Sequence, residues 1–236
     1  MTGPDAARKA DLALACRILG ANGHGDNIYG HVSARAAGGE RFWMKGAQLG
    51  LEEVREEDLV LLDRDGRLLE GARPRHIEFP IHAEVFRART DVACVVHTHP
   101  PHAVALGARR LELRPIGHEG ALFWPPGVPL FEEFTDLVRT REQGERVAAA
   151  LGANLALLLR NHGIVVAASS IALATVAAIT LEKAAMVQLL AQPAADSAVA
   201  HTSAEEAVRK RDIWNPAAVD AQWRYFARRL ELGTVR

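Results

Sequence analysis

Two kinds of hydrophobic pattern alternate along the chain. Short apolar runs at 92–96, 155–159 and 164–168 are rich in β-branched and aliphatic residues, which predicts buried strands. Longer segments, of which 141–151 and 171–190 are the clearest, repeat their apolar residues at helical spacing. Because predicted helices alternate with short strands and hairpins, we expect an α/β fold of the α/β/α layered kind. Its central sheet would be mixed but largely antiparallel, with helices covering both faces.

The remaining apolar pattern predicts the first and last helices of the chain and one further strand. An amphipathic helix is predicted over 4–19, and a strand over 111–116. Small residues at 192–200 indicate a loose linker. The last helix, over 203–232, is expected to break at Pro216, because proline lacks the N–H that an interior helical position donates.

Length and composition agree with one folded domain. The chain has 236 residues, of which 49% are hydrophobic and 24% charged, and this is enough for one substantial core. We therefore expect a single domain over 1–236, in which 201–236 is a C-terminal helical extension. The net charge of −1 argues against a basic surface that binds nucleic acid, so no nucleic-acid partner is expected.

Cysteine usage and hydropathy predict where the protein is located. Cys16 and Cys94 lie within apolar patterns, and two such cysteines indicate reduced core residues rather than a disulfide framework. The first residues contain no apolar signal core. The segment 171–190 comes closest to the length of a membrane span, but Glu182 and Lys183 interrupt it. These features predict a cytoplasmic protein without membrane association.

Three histidines and one carboxylate form a candidate metal site. His97 and His99 follow a predicted strand, and side chains two residues apart on a strand share a face, where two imidazoles can bind one ion. His162 lies between two other apolar runs, and Glu78 lies in the first turn of the helix predicted over 76–89. Together they would make an open site with room for a substrate. The spacing alone supports a metal site and an incidental histidine pair about equally.

The order of these motifs resembles a known family. Glu78 and His82 lie in HIEFPIH, which is followed by VVHTHP at 95–100 and by LLLRNHG at 157–163. From about residue 8 to about residue 190, this combination resembles the class II aldolase and adducin family. The resemblance implies that family's α/β fold and a homotetramer with active sites at subunit borders.

The same resemblance implies roles for individual residues. It makes His97, His99 and His162 the ligands of one divalent metal ion per chain, and it makes Glu78 the acid/base group. A site of three imidazoles and a carboxylate accepts Zn, Mn, Co or Fe, so the identity of the ion stays open.

Three positions depart from the sugar-phosphate aldolases of that family, which hold a phosphate with small polar residues. His31 stands where those enzymes have an Asn, Lys45 opens the segment that replaces a Thr-Pro-Ser-Gly-like turn, and His76 replaces a Ser. Phosphate needs several fixed N–H and O–H donors at once, whereas imidazoles and an ammonium suit carboxylate or phenolic oxygens. We therefore expect His31, Lys45 and His76 to bind a small, acidic, unphosphorylated substrate.

A fourth departure concerns proton transfer. His118 stands where some family aldolases have a proton-donating Tyr, and histidine titrates nearer neutrality than tyrosine does. His118 is therefore a second candidate catalytic residue, although a structural histidine explains the sequence as well.

These observations predict a metal-dependent carbon–carbon lyase. The leading expectation is decarboxylation of a hydroxylated aromatic or pyridine dicarboxylate. The resemblance implies it, because HVSAR at 31–35 with HIEFPIH, VVHTHP and NHG looks closer to such decarboxylases of the family than to its sugar-phosphate aldolases. One alternative is a class II aldolase that acts on an unphosphorylated hydroxy-keto acid. A third hypothesis is an adducin-like binding module without catalysis, which the combination of Glu78 with three candidate metal ligands argues against.

Overall fold

One eight-stranded sheet forms the centre of the computed structural model, which describes residue 3, residues 5–192, residue 194 and residues 199–233. The strands, numbered in chain order, are β1 (His31–Arg35), β2 (Arg41–Lys45), β3 (Leu59–Asp63), β4 (Leu68–Glu70), β5 (Cys94–Thr98), β6 (Leu130–Phe131), β7 (Ala156–Leu159) and β8 (Gly163–Ala168). Across the sheet they lie in the order β4-β3-β2-β1-β5-β8-β7-β6. Every neighbouring pair is antiparallel except β6 and β7, which confirms the predicted mixed, largely antiparallel sheet.

Helices connect these strands and follow them at the C-terminal end of the chain. They are α1 (Ala6–Leu19), α2 (Phe79–Ala88), α3 (Pro101–Ala108), α4 (Gly117–Ala121), α5 (Arg141–Leu151), α6 (Ile171–Ala191), α7 (Ala204–Arg211) and α8 (Pro216–Glu231). The bounds of α5 match the prediction. The predicted break at Pro216 is confirmed, since this proline is the first residue of α8.

The sheet separates two apolar layers. Alternate residues of a strand face opposite sides, so Val96 of β5 packs into one layer and Val95 into the other. The first layer lies between the sheet and α1, α3 and α6, and the second lies beneath α2 and α5. Helices therefore cover both faces, as predicted, and the strand ends are left as the place where polar side chains can gather.

The predicted strand over 111–116 is wrong, because these residues form a loop without strand pairing. The side chain of Gln188 in α6 takes the place of a neighbouring strand. Its Oε1 accepts a hydrogen bond from the Arg114 N–H at 2.7 Å, and its Nε2 donates to the Glu112 carbonyl at 2.8 Å. Leu113 of the loop is buried and Leu111 packs against the first layer, which explains why the local pattern resembled that of a strand.

Replacing Gln188 with leucine is expected to destabilise the fold without altering the strand order. Both backbone groups would lose their partners, at a cost of about 1–3 kcal/mol for each unpaired group. Urea unfolding should show this as a lower midpoint. Leu190→Ala is the matched control on the same helix, since Leu190 is 74% exposed and its loss should change stability by less than about 0.5 kcal/mol. Equal midpoints for both variants would contradict this account of the loop.

Three predicted segments extend beyond the described residues, and one of them is the C-terminal helical extension over 201–236, of which residues 234–236 are not described. The N-terminal helix was predicted from residue 4, which is not described, and α1 begins at Ala6. Residues 193 and 195–198 of the predicted linker also lie outside the description.

Helix α6 is long and apolar enough to cross a membrane by length and composition alone, although the charges at Glu182 and Lys183 had predicted otherwise. In the fold it lies against the sheet and α3, and 56% of its most apolar window is buried inside the protein. Its apolar composition is thus accounted for by the core.

Candidate active site

Neighbouring strands bring three histidines to one end of the sheet. His97 lies in β5, His99 follows directly after that strand, and His162 lies in the turn that joins β7 to β8. Strand β8 pairs with β5, so the turn lies beside His99. Gly163 permits this close approach, because a Cβ at that position would lie 2.4 Å from the Thr98 carbonyl oxygen.

Glu78 reaches the same place from the start of helix α2, which covers the face of the sheet that His97 shares with Val95. Helix α2 begins at Phe79, so Glu78 is the residue that precedes the helix and not a member of its first turn. Its carboxylate does not cap the helix. Instead, Oε1 accepts a hydrogen bond from the Val138 N–H at 2.8 Å, and this bond orients the carboxylate towards the histidines.

Glu78, His97, His99 and His162 form a compact group of ligand atoms. One atom from each residue lies within 4.8 Å of the others. Glu78 Oε2 is 3.6 Å from His97 Nε2, and Glu78 Oε1 is 3.6 Å from His162 Nε2. The predicted grouping of these four side chains is thus present in the fold.

The hydrogen bonds around the histidines fit a bound cation. His97 Nδ1 donates to the Ile164 carbonyl and His99 Nδ1 donates to Asp26 Oδ2, each at 2.9 Å, because both acceptors lack a proton. The two Nε2 atoms therefore carry lone pairs and face each other at 3.2 Å, where no hydrogen bond can join them. His162 Nε2 is buried and has no hydrogen-bond partner. Two imidazole lone pairs and the unpartnered His162 Nε2, beside one carboxylate, make a donor set that suits a divalent transition metal.

The environment of Glu78 favours its ionised form. Burial raises the pKa of this carboxyl, but the contacts with His162, His31 and His97 lower it by more, so the net pKa lies well below its ordinary value. An ionised carboxylate only accepts hydrogen bonds. Glu78 must therefore take up a proton from elsewhere before it can deliver one.

The three predicted substrate-binding residues form a row beside this cluster. His31 lies opposite His97 in the pairing of β1 with β5, and the centroids of their rings are 4.9 Å apart. The ring of His76 is 4.5 Å from that of His31, and Lys45 Nζ is 3.3 Å from His76 Nε2. The fold therefore brings His31, His76 and Lys45 together next to Glu78.

Charge in this row is set mainly by burial. Burial lowers the pKa of Lys45 to about 8, which leaves the ammonium form in place at neutral pH. Burial and the nearby Lys45 charge lower the pKa of His76 to about 3, so its neutral ring accepts a hydrogen bond from the ammonium. Lys45 also donates to the Ile28 carbonyl at 3.2 Å, and the ammonium has one further N–H.

His118 is not part of this cluster. It lies in the short helix α4, its side chain is exposed, and its backbone carbonyl accepts a hydrogen bond from Trp214 Nε1. Among the described residues it makes no hydrogen bond or ion pair with Glu78 or the three histidines. Within one chain, the fold does not bring together the two residues that the sequence suggested as catalytic.

Three residues at the site escaped the sequence analysis. Asp26 orients His99, His82 is hydrogen-bonded to His31, and Ser33 is hydrogen-bonded to His82. The only available signals were the position of Asp26 in a glycine-rich loop and that of His82 in the HIEFPIH motif.

Comparison with known proteins finds similar sequences and a similar fold. The family model of the Class II Aldolase and Adducin N-terminal domain matches residues 10–189. The chain is 37% identical over 196 residues to a 3,4-dihydroxyphthalate decarboxylase of Arthrobacter keyseri, covering 78% of this chain and 77% of that protein. It is 33% identical over 242 residues to a protein of the same name from Terrabacter sp., covering 98% of this chain and 100% of that protein. An aldolase II superfamily protein from Pseudomonas syringae superposes with a TM-score of 0.87 at 26% identity, covering 99% of this chain and 95% of the other.

Proposed function

Because the chain belongs to the class II aldolase and adducin family, we propose that this lyase is a metal-dependent decarboxylase of a hydroxylated aromatic dicarboxylate. The observation that carries the proposal is the row of His31, His76 and Lys45 beside the cluster of metal-ligand type. These side chains suit carboxylate and phenolic oxygens better than a phosphate. The decarboxylase names of similar proteins support the same substrate class.

The cofactor in this proposal is one divalent metal ion per chain. His97, His99 and His162 would hold it through Nε2, with Glu78 beside them. Zn, Mn, Co or Fe each accept these donors. When bound, such an ion supplies Lewis-acid stabilisation of the negative charge that develops on a substrate oxygen.

The side chains of the protein provide binding and proton transfer. The ammonium of Lys45, with His76, attracts a substrate carboxylate that is not lost in the reaction. The ionised Glu78 accepts the proton of the substrate hydroxyl and returns it to the ring carbon. At that carbon the bond to the second carboxylate breaks, its electron pair stays on the ring and takes the proton, and carbon dioxide leaves.

Oligomerisation decides whether His118 takes part. An exposed His118 outside the cluster can reach the reacting atoms only from another copy of the chain. We include a homotetramer with active sites at subunit borders in the proposal, and with it a contribution of His118 to proton transfer across such a border. A cytoplasmic location also stays a prediction. Light scattering of the metal-loaded protein tests the homotetramer, and the turnover of His118→Ala tests the contribution of His118 to proton transfer.

A substrate screen tests the proposal directly. The enzyme is supplied with Zn, Mn, Co and Fe in turn. Hydroxylated aromatic or pyridine dicarboxylates should then release carbon dioxide. A parallel screen with pyruvate and aldehydes, and with phosphorylated ketoses, should show no comparable activity. Cleavage of an aldol substrate without any decarboxylation would favour the aldolase, and a purified protein that neither retains nor responds to metal would favour a binding module.

Replacing Lys45 with methionine is expected to raise KM more than it lowers kcat. A carboxylate held away from the reacting carbon contributes mostly uniform binding, which appears in KM. Losing one charge-assisted hydrogen bond, worth about 1.5–3 kcal/mol, corresponds to an increase in KM of about 10- to 100-fold. Steady-state kinetics on the screened substrate checks this, and a fall in kcat at unchanged KM would contradict it.

The pH dependence of the same variant provides the control. Because the pKa of Lys45 is lowered to about 8, its ammonium is present below that pH and is lost as the pH rises through it. In the unmodified enzyme kcat/KM, which reports on the free enzyme, should therefore fall above about pH 8. Lys45→Met should lack that decline, whereas an identical decline in both proteins would assign it to another group.

A further inference from the structure

A chain of three polar side chains ends at Glu78. Ser33 Oγ is 2.6 Å from His82 Nδ1, and His82 Nε2 is 2.7 Å from His31 Nδ1. His31 Nε2 lies 3.9 Å from Glu78 Oε2, which is ion-pair distance but longer than a hydrogen bond. An oxygen atom of a ligand next to Glu78 would therefore meet the free ring nitrogen of His31.

Ser33 and His82 are polar side chains in an apolar layer, where their burial is unfavourable in free energy. Ser33 lies in β1 between Met44 of β2 and Val95 of β5, and both neighbours belong to the apolar layer beneath α2. His82 lies in α2 and is completely buried. A buried polar group costs free energy unless it is hydrogen-bonded, and apolar residues would fill this layer without that cost. The two side chains are satisfied by each other and by His31.

Only one direction of donation along these hydrogen bonds places an N–H of His31 opposite the Glu78 carboxylate. Two rings joined by one 2.7 Å bond share one proton. The donors along the three side chains therefore point either all towards Glu78 or all towards Ser33. If they pointed towards Ser33, His31 would present a lone pair to an ionised carboxylate. If they point towards Glu78, the Ser33 hydroxyl donates to His82, His82 donates to His31, and His31 keeps its proton on Nε2. The second arrangement places a donor opposite an acceptor.

We propose that Ser33 and His82 are positioning residues that fix His31 with its Nε2–H directed at the space beside Glu78, where His31 donates to an anionic oxygen of the substrate. This inference rests on the proposed function for the identity of that oxygen. Within the described part of the chain, the side-chain hydrogen bonds of Ser33 and His82 join them to each other and to His31, not to the predicted metal ligands. They act by excluding the Nδ1–H tautomer of His31 and by stopping rotation of its ring.

Two amide substitutions of His82 separate positioning from packing. The amide nitrogen of His82→Gln lies near the place of Nε2 and can still donate to His31, whereas the shorter His82→Asn reaches only towards Ser33. We expect His82→Asn to lose about 10- to 100-fold in kcat/KM, because the side chain that orients His31 is lost, and His82→Gln to retain most of it. Equal losses in the two variants would assign His82 to packing alone and overturn the proposal.

A spectroscopic readout does not depend on turnover. In the zinc-loaded protein with 15N-labelled histidine, the ring signals of His31 are identified by their absence in His31→Gln. They should show a protonated Nε2 and an unprotonated Nδ1, and His82→Asn should remove that preference. A protonated Nδ1 in the unmodified protein would overturn the proposal. If the substrate screen fails but this pattern is found, the positioning stands and only the proposed substrate is lost.

Ser33→Ala provides a milder variant in case His82→Asn does not fold. It removes only the hydroxyl, so His82 can adopt either tautomer, and we expect a smaller loss of kcat/KM in the same direction. Thr175→Val is the matched control, because it removes another fully buried hydroxyl, one that donates to the Ile171 carbonyl within α6. Equal kcat/KM values for Ser33→Ala and Thr175→Val would overturn the proposal.

Discussion

Replacing His97 with alanine is expected to abolish both metal retention and turnover. His97 is completely buried, its Nδ1 is held by the Ile164 carbonyl, and its Nε2 faces that of His99 at 3.2 Å. In the group of ligand atoms found among the described residues, its loss leaves two imidazoles and the Glu78 carboxylate. Since loss of an outer-shell partner alone costs about 10- to 100-fold in affinity or activity, loss of a ligand should cost at least that much. Elemental analysis after purification and steady-state kinetics check the two effects.

An asparagine at the same position separates the loss of a ligand from the loss of a buried hydrogen bond. The amide nitrogen of His97→Asn can still donate to the Ile164 carbonyl, but this side chain has no atom in place of Nε2. It should therefore unfold close to the temperature of the unmodified apoprotein while failing to bind metal. His102→Ala is the histidine control, because His102 pairs with Glu182 and is not part of the cluster, so it should keep its metal. Full metal occupancy in either His97 variant would refute the ligand assignment.

Local pattern predicted those parts of the site that depend on local geometry. The strand period of two placed His97 and His99 on one face, and two apolar runs around His162 placed it in a turn between strands. The loop at 111–116 could not be predicted in this way, because its backbone partner is a side chain 74 residues away, Gln188. A local apolar pattern reports which residues are buried, but it does not report what their backbone groups bind.

Partners of the site residues are harder to predict than the site residues themselves. The bond from His99 to Asp26 spans 73 positions, and that from Ser33 to His82 spans 49. Such contacts depend on the strand order, in which β1 lies next to β5 although three strands and helix α2 separate them in the chain. Single serine and aspartate residues are common at surfaces and in loops, so their sequence gives no sign that they orient a histidine.

Replacing Glu78 with glutamine is expected to preserve metal binding and to lower turnover by about 10²-fold or more, the usual contribution of a general acid–base group. Glutamine has nearly the same volume, and its Oε1 can still accept the hydrogen bond from the Val138 N–H. The three imidazoles remain to hold the ion. What is lost is the group that takes up a proton from the substrate and returns it to carbon, so the change should appear in kcat, with the metal content unaltered.

Glu84→Gln is the matched control for this substitution. Glu84 is a buried carboxylate within helix α2, but it pairs with Arg87 and does not face the histidines. Its replacement should lower the thermal stability while leaving kcat close to that of the unmodified enzyme. If Glu78→Gln also turned over at a near-normal rate, proton transfer would have to be assigned to His118. Because His118 is exposed and outside the cluster, that outcome would require the active site to be completed by a second copy of the chain.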